Sequence, residues 1–276
     1  ANAVLGNSLA RVVMEKVVGV DKKAPMPTAR SKTLHGWLRS RPKPTNKPTR
    51  GPVVFFHGCA GGYFEVDAAM KSIEVLEHIG FQVLVPKQGC CGLAHQSNGL
   101  FDRATDQVRA LVAQLRSAGT DLTIVSSAGS CGGMLRHEAH EILGLDDPEL
   151  LDVGTRTRDI SEFLMELYDA GDLPTDFKRI DLRVPYHQPC QVRSQGTGMP
   201  AADLLRLIPG IEVVESGSIC CGIAGTYGLK KEKYEIAQAV GKGLFEMVEA
   251  TNQGVVACDT ETCRWQIEKS TGVRTV

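Results

Sequence analysis

The chain has no charge excess of either sign: 31 lysines and arginines face 32 aspartates and glutamates over 276 residues, for a net charge of -1. Proteins that grip nucleic acid usually carry a clear basic surplus, so no nucleic-acid partner is expected. Long hydrophobic runs are also missing. A stretch such as Val53-Val54-Phe55-Phe56 falls far short of the roughly 20 apolar residues that cross a bilayer. The first residues show no charged segment followed by a long apolar run, so no secretory signal is visible and a cytoplasmic chain is expected. The glycine-rich stretch Gly58 to Gly62 lacks the spaced third glycine and downstream acid of a dinucleotide fingerprint. No NAD or FAD is expected on this chain. Finally, no two cysteines stand in Cys-x-x-Cys spacing, which speaks against a thioredoxin-type enzyme and against the usual structural zinc pattern.

What the chain does have is nine cysteines: Cys59, Cys90, Cys91, Cys131, Cys190, Cys220, Cys221, Cys258 and Cys263. An odd number with two adjacent pairs makes a poor disulfide framework, because neighbouring cysteines cannot easily bridge each other. In a chain without a secretion signal, clustered cysteines point to metal or cluster binding. Thiolate is a soft ligand that suits iron–sulfur clusters, zinc or copper(I).

The pattern along the chain gives these cysteines a frame. Residues 4–20 have helical apolar spacing, and 21–52, with Pro25, Pro27, Pro42, Pro44, Pro48 and Pro52 among many basic residues, read as an extended linker. From Gly51, strands alternate with helices: strands at 53–56, 81–85 and 122–125, helices at 68–79 and 103–118. The second half repeats the plan with strands at 182–186, 211–214 and 254–257 and helices at 201–208, 234–249 and from 262, while 159–168 reads as a connecting helix. This alternation predicts an α/β fold with parallel sheets. Motifs repeat as well. Phe56-His57-Gly58-Cys59 matches Tyr186-His187-Gln188-Pro189-Cys190, and Gly89-Cys90-Cys91-Gly92 matches Ile219-Cys220-Cys221-Gly222. The first cysteine and the pair lie 31 positions apart in one half (90 − 59) and 30 in the other (220 − 190). Two homologous βαβ-type halves related by a pseudo-two-fold are expected, with the cysteines at strand C-terminal ends, where ligands collect in open α/β sheets. The expected organisation is a helix and basic linker over 1–50, a first module over 51–150, a connecting segment over 151–180 and a second module over 181–276.

His57 and His187 read as equivalent residues just before the first cysteine of each half. Each is a candidate for a hydrogen bond to a cluster thiolate or sulfide, or for proton-coupled transfer, beside the simpler role of holding a strand-end loop. His95 reads as a loop residue, His137 and His140 as residues on a helix face, and Tyr227 and Trp265 as packing residues.

At these residues the sequence resembles the paired cysteine-rich CCG-domain iron–sulfur proteins. The likeness is carried by Cys220-Cys221-Gly222-Ile223-Ala224-Gly225-Thr226-Tyr227-Gly228, by Glu261-Thr262-Cys263-Arg264-Trp265-Gln266-Ile267-Glu268, by Phe55-Phe56-His57-Gly58-Cys59 and by Leu204 to Gly210. Within that family it is most similar to the C-subunit type of anaerobic glycerol-3-phosphate dehydrogenase and, more distantly, to the B-subunit type of heterodisulfide reductase. The resemblance implies an oxidoreductase subunit with one or two [4Fe-4S] clusters, cubane or non-cubane, held by the nine cysteines. It implies a flavin dehydrogenase subunit and a ferredoxin-like iron–sulfur domain or subunit as partners, quinone as an acceptor, and a place peripheral on the inner face of the cell membrane. Two rival roles stay open: a heterodisulfide-cleaving catalytic cluster and a zinc-stabilised scaffold.

Three departures from the family pattern stand out. The pattern ends each block in Cys-x-x-Cys, but Ala128 and Thr260 occupy the earlier of those positions, and Cys258 sits two residues before Thr260. The first half thus offers four thiolates and the second five. The two N-terminal runs of four cysteines that mark the glycerol-3-phosphate dehydrogenase type are not in this sequence, which implies either a piece of a longer protein or electron entry through another subunit.

Overall fold

The computed structural model describes residues 2–42 and 47–276, so Ala1 and Pro44 lie outside the described residues. Two four-stranded parallel sheets organise the chain. In the first, β1 (Pro52–Phe56) is flanked by β2 (Gln82–Leu84) and β3 (Ile124–Ser126), and β4 (Thr157–Asp159) pairs with the far side of β3. The second repeats this order: β5 (Leu182–His187) lies between β6 (Ile211–Glu215) and β7 (Val255–Cys258), with β8 (Arg274–Thr275) beyond β7. The expected α/β fold with two parallel-sheet halves is therefore what the chain adopts.

β1 is apolar on both faces because both faces are covered. Val54 and Phe56 enter one core with Val108, Leu111 and Leu115 of the helix Phe101–Arg116. Val53 and Phe55 enter another with Ile73 and Leu76 of the helix Val66–His78. In the second half the helix Tyr234–Thr251 packs Leu244 and Val248 against Val256, while Val184 and Tyr186 face Ala202 on the opposite side.

Four differences from the sequence reading have local causes. The expected helix over 4–20 is two helices, Asn2–Leu5 and Ser8–Val17, because Asn7 adopts extended backbone and caps the second by accepting from the Leu9 and Ala10 amides. β4 and β8 have three and two residues, too few for any periodicity to register. Residues 134–138 form a π-helical turn inside a longer helical run. The proline-rich segment is not all extended: Thr33 caps a helix, Leu34–Ser40, whose Leu34 is completely buried in the core beneath β1.

Each adjacent cysteine pair is followed by a glycine in left-handed conformation, Gly92 with φ 87° and Gly222 with φ 91°. A side chain at Gly92 would lie 2.8 Å from the Ala104 carbonyl oxygen, and one at Gly222 would overlap that of Ala237. Both turns thus need glycine for backbone conformation and for helix approach.

Two stability changes follow. Leu34→Ala should cost about 3 kcal/mol in denaturant unfolding, as for other fully buried leucines, whereas a free linker residue would move the midpoint hardly at all. Gly222→Ala should cost more than the roughly 1–2 kcal/mol of a left-handed alanine, because the overlap with Ala237 adds to it; an unchanged unfolding midpoint would contradict this packing.

Candidate metal centre

The cysteines come together in two groups, one per sheet, at the carboxyl ends of the central strands. In the first half Cys59 lies in the short helix Gly58–Tyr63 after β1, Cys90 and Cys91 in the loop after β2, and Cys131 in the helix Gly129–Gly133 after β3. Cys91 Sγ is 3.3 Å from Cys131 Sγ, the Gly92 amide donates to Cys90 Sγ at 3.5 Å, and Cys59 lies close enough to Cys90 for each thiol to shift the other. Gly58 is close behind: a side chain there would come within 3.1 Å of Cys131 Sγ.

The second half repeats the arrangement. Cys190 and Cys220 Sγ are 4.0 Å apart, Cys221 and Cys263 Sγ are 3.0 Å apart, and the Gly222 amide donates to Cys220 Sγ at 3.2 Å. Cys258, the last residue of β7, is buried, and its thiol lies 3.9 Å from the Thr260 carbonyl oxygen. All nine cysteines are free thiols, and Sγ separations of 3.0–4.0 Å are contacts, not the ~2.05 Å of a disulfide.

The crowding has an electrostatic consequence. In each group one thiolate is favoured: Cys90 falls to about 2 through hydrogen bonds from Cys59 and then Cys91, and Cys220 to about 2 through those from Cys190 and then Cys221. Their neighbours are pushed up. Cys59 and Cys190 are raised by that same hydrogen bonding and then by burial, and Cys91 and Cys263 by their sulfur neighbours and then by burial. A second thiolate at contact distance is opposed by the first. Only a compensating cation lets all the sulfurs ionise together, and thiolate groups of four or five suit a soft metal or an iron–sulfur cluster. The donor sets fit such a group in both halves.

The two sites open differently. Cys59 is at the surface. The second site faces a cavity of about 360 Å³ between the halves, where Cys190, Cys220, Cys221 and Cys263 share the wall with Glu138 and Tyr227. Glu138, at the end of the π-helical turn, accepts from Gln96 Nε2 at 2.9 Å and from Gln191 Nε2 at 3.0 Å, so one carboxylate ties both halves at this wall. The loops carrying Cys131 and Cys263 also touch: Ser130 Oγ donates to Thr260 Oγ1 at 3.2 Å, and the Gly129 amide faces the Asp259 carbonyl oxygen at 3.4 Å. Thr260, which stands where the family pattern has a cysteine, thus holds the two cysteine loops together. Glu261 is buried beside them and burial pushes it up to about 7, which limits negative charge near Cys59.

The histidines are not equivalent. In the β1–β3 register Phe56 lies opposite Ser126, five residues before Cys131. In the β5–β7 register His187 lies opposite Cys258, five residues before Cys263. Phe56 and His187 each precede the first cysteine of their half by three residues. The structural counterpart of His187 is therefore Phe56, and that of His57 is Gln188. His187 is the last residue of β5, whereas His57 lies past the end of β1 at the start of the helix Gly58–Tyr63, so the two rings have different surroundings. His57 packs edge-on against His35 with ring centroids 5.4 Å apart, and its Nδ1 donates to the Gly58 carbonyl at 2.5 Å. A ring nitrogen of His187, by contrast, joins the sulfurs of Cys221 and Cys263 within a mutual 4.8 Å. Both rings are buried, which lowers each to about 4 and keeps it neutral at pH 7. The sequence reading missed Glu138 and Ser216, which accompany the site without any motif of their own. His95 bonds Gln107, His140 pairs with Asp146, and Trp265 donates to Glu65 across the halves.

The cysteine-rich CCG domain family matches this chain twice, over residues 53–136 and 184–268, each match enclosing one group. The chain belongs to the cysteine-rich CCG domain family. It is 35% identical over 269 residues to the C subunit of the anaerobic glycerol-3-phosphate dehydrogenase of Escherichia coli (strain K12), covering 96% of this chain and 66% of that protein. It is 35% identical over 224 residues to the B subunit of the fumarate reductase (CoM/CoB) of Methanothermobacter marburgensis, covering 79% of this chain and 42% of that protein. A third relative, named "Probable glycolate oxidase iron-sulfur subunit", from Bacillus subtilis, is 26% identical over 247 residues, with 84% and 53% covered. The chain thus spans two thirds or less of the length of these curated relatives. No helix among its described residues is long and apolar enough to cross a membrane.

Cys258 and Cys263 should separate in a metal-loading assay. Cys263→Ala removes a sulfur at the centre of the second group and should cost that half its metal. Cys258→Ala removes the outlying thiol and should leave iron per chain unchanged; equal losses from the two variants would make Cys258 a full member of the donor set.

Proposed function

We propose that this chain is an iron–sulfur electron-transfer subunit. Cys59, Cys90, Cys91 and Cys131 hold one [4Fe-4S] cluster, and Cys190, Cys220, Cys221 and Cys263 hold a second, with Cys258 beside it. The observation that carries the reading is the packing of two separate thiol groups at strand ends whose loops touch through Ser130 and Thr260. A bound cluster supplies a one-electron relay, and the protein supplies thiolates, amides aimed at sulfur and a dry surround. The Gly92 and Gly222 amides favour the thiolate forms of Cys90 and Cys220. Burial of Cys91, Cys221 and Cys263 keeps water from the inner sulfurs.

In the cell, the chain passes electrons from a flavin dehydrogenase subunit, acting on glycerol-3-phosphate or a similar hydroxy acid, towards quinone, with a ferredoxin-like iron–sulfur domain or subunit in the path. The names of the relatives support this placement, since they include subunits of glycerol-3-phosphate and glycolate-oxidising systems. A peripheral position at the inner face of the cell membrane is supported by the helix Ser8–Val17. It leaves Leu9 77% and Val17 78% exposed on one stripe with Val13.

A second reading has its own observation. The cavity at Cys190 and Cys220 would admit a small molecule to the second site, as a heterodisulfide-cleaving catalyst requires. Disulfide cleavage by the isolated, reduced chain would favour it over the relay.

Anaerobically prepared protein should contain about eight irons and about eight sulfides per chain and give EPR signals on reduction. Near-stoichiometric zinc with no EPR signal would replace the relay by a zinc-stabilised scaffold.

A further inference from the structure

The two sites have the same thiol plan but not the same surround. Where the first half has Phe56, the second has His187, as the strand registers require. Phe56 is fully buried and carries no polar atom. His187 is also fully buried, and its Nε2 has no hydrogen-bond partner among the described residues. Buried polar nitrogens seldom stay unpaired, because burial strips them of water and nothing compensates the loss.

The surround of Nδ1 accommodates a ring proton on Nε2. Ser216 Oγ sits 3.1 Å from His187 Nδ1 and already accepts the Ser218 amide at 3.3 Å. A serine hydroxyl can donate as well as accept, so Ser216 can give its proton to Nδ1, and the tautomer with the ring proton on Nε2 pairs both groups. With Nδ1 beside Ser216, Nε2 is the ring nitrogen left without a partner, and the ring reaches within 4.8 Å of the Cys221 and Cys263 sulfurs. His57 has the opposite tautomer. A carbonyl can only accept, so Gly58 fixes the proton of His57 on Nδ1, and its Nε2 has none to give.

We propose that His187 Nε2–H donates a hydrogen bond to the Cys221–Cys263 sulfur pair, and that this donor raises the reduction potential of the second site above that of the first. The physical basis is general: an N–H aimed at a ligating sulfur draws charge from the metal and stabilises the reduced state. The half with a phenylalanine in the same place lacks that donor. The asymmetry gives the relay a direction, with electrons resting on the second site, beside the cavity. Ser216 acts as the positioning residue that pairs Nδ1 in this tautomer.

This inference rests on the two-cluster reading, and one experiment distinguishes failure of either. The full chain, reconstituted anaerobically, is titrated potentiometrically and followed by EPR, with iron and sulfide measured in the same samples. The wild type should show two signals of unequal midpoint potential. His187→Phe gives the second half the residue that the first already carries in that place. It should bring the higher potential down towards the lower one, with iron content and the other signal unchanged. His187→Gln, which keeps an N–H, should stay nearer the wild type, and His57→Phe should move neither signal. Unmoved potentials in His187→Phe, or an equal shift in His57→Phe, would overturn the proposal. Loss of the second signal together with its iron in His187→Phe would make the ring a ligand and also overturn it. A wild type without iron and sulfide would instead refute the two-cluster reading itself.

Discussion

Everything in this structure answers to the mutual repulsion of thiolates brought into contact. Sulfurs 3.0–4.0 Å apart cannot all be ionised by themselves, and the two groups divide into one favoured thiolate and neighbours held protonated. A flexible chain would relieve the repulsion by letting the cysteines separate. Here they are fixed to the ends of parallel strands, covered by helices on both faces, so the sulfurs stay together and the group remains ready for a cation.

The glycine after each cysteine pair serves the same end. Its left-handed backbone turns the chain sharply, lets a long helix close over the pair and points an amide at the first sulfur of the pair. One residue thus links local conformation, helix packing and charge stabilisation at sulfur. The contact between halves has a similar economy. Glu138 joins two glutamines from different halves, and Ser130 meets Thr260 where the two cysteine loops abut. The position that differs from the family pattern has become part of the joint between sites.

Much of the fold was legible because it follows from periodicity. The strands and long helices fall within a few residues of their expected bounds, and the paired motifs foretold two parallel-sheet halves. β4 and β8 were invisible because two or three residues carry no period. The helix Leu34–Ser40 was hidden by prolines and basic residues around it, and only its burial under the helix Val66–His78 reveals Leu34 as core.

By itself the sequence determined which residues can bind a soft metal, that they fall in two sets, and that a glycine follows each adjacent pair. Those properties are chemical or local, and a residue keeps them wherever the chain goes. Tertiary structure decided which residues face one another. Motif likeness aligns His57 with His187, yet strand pairing aligns His187 with Phe56. A slip of one position, trivial in sequence, leaves one histidine at the end of its strand beside the thiols and carries the other past its strand, against His35.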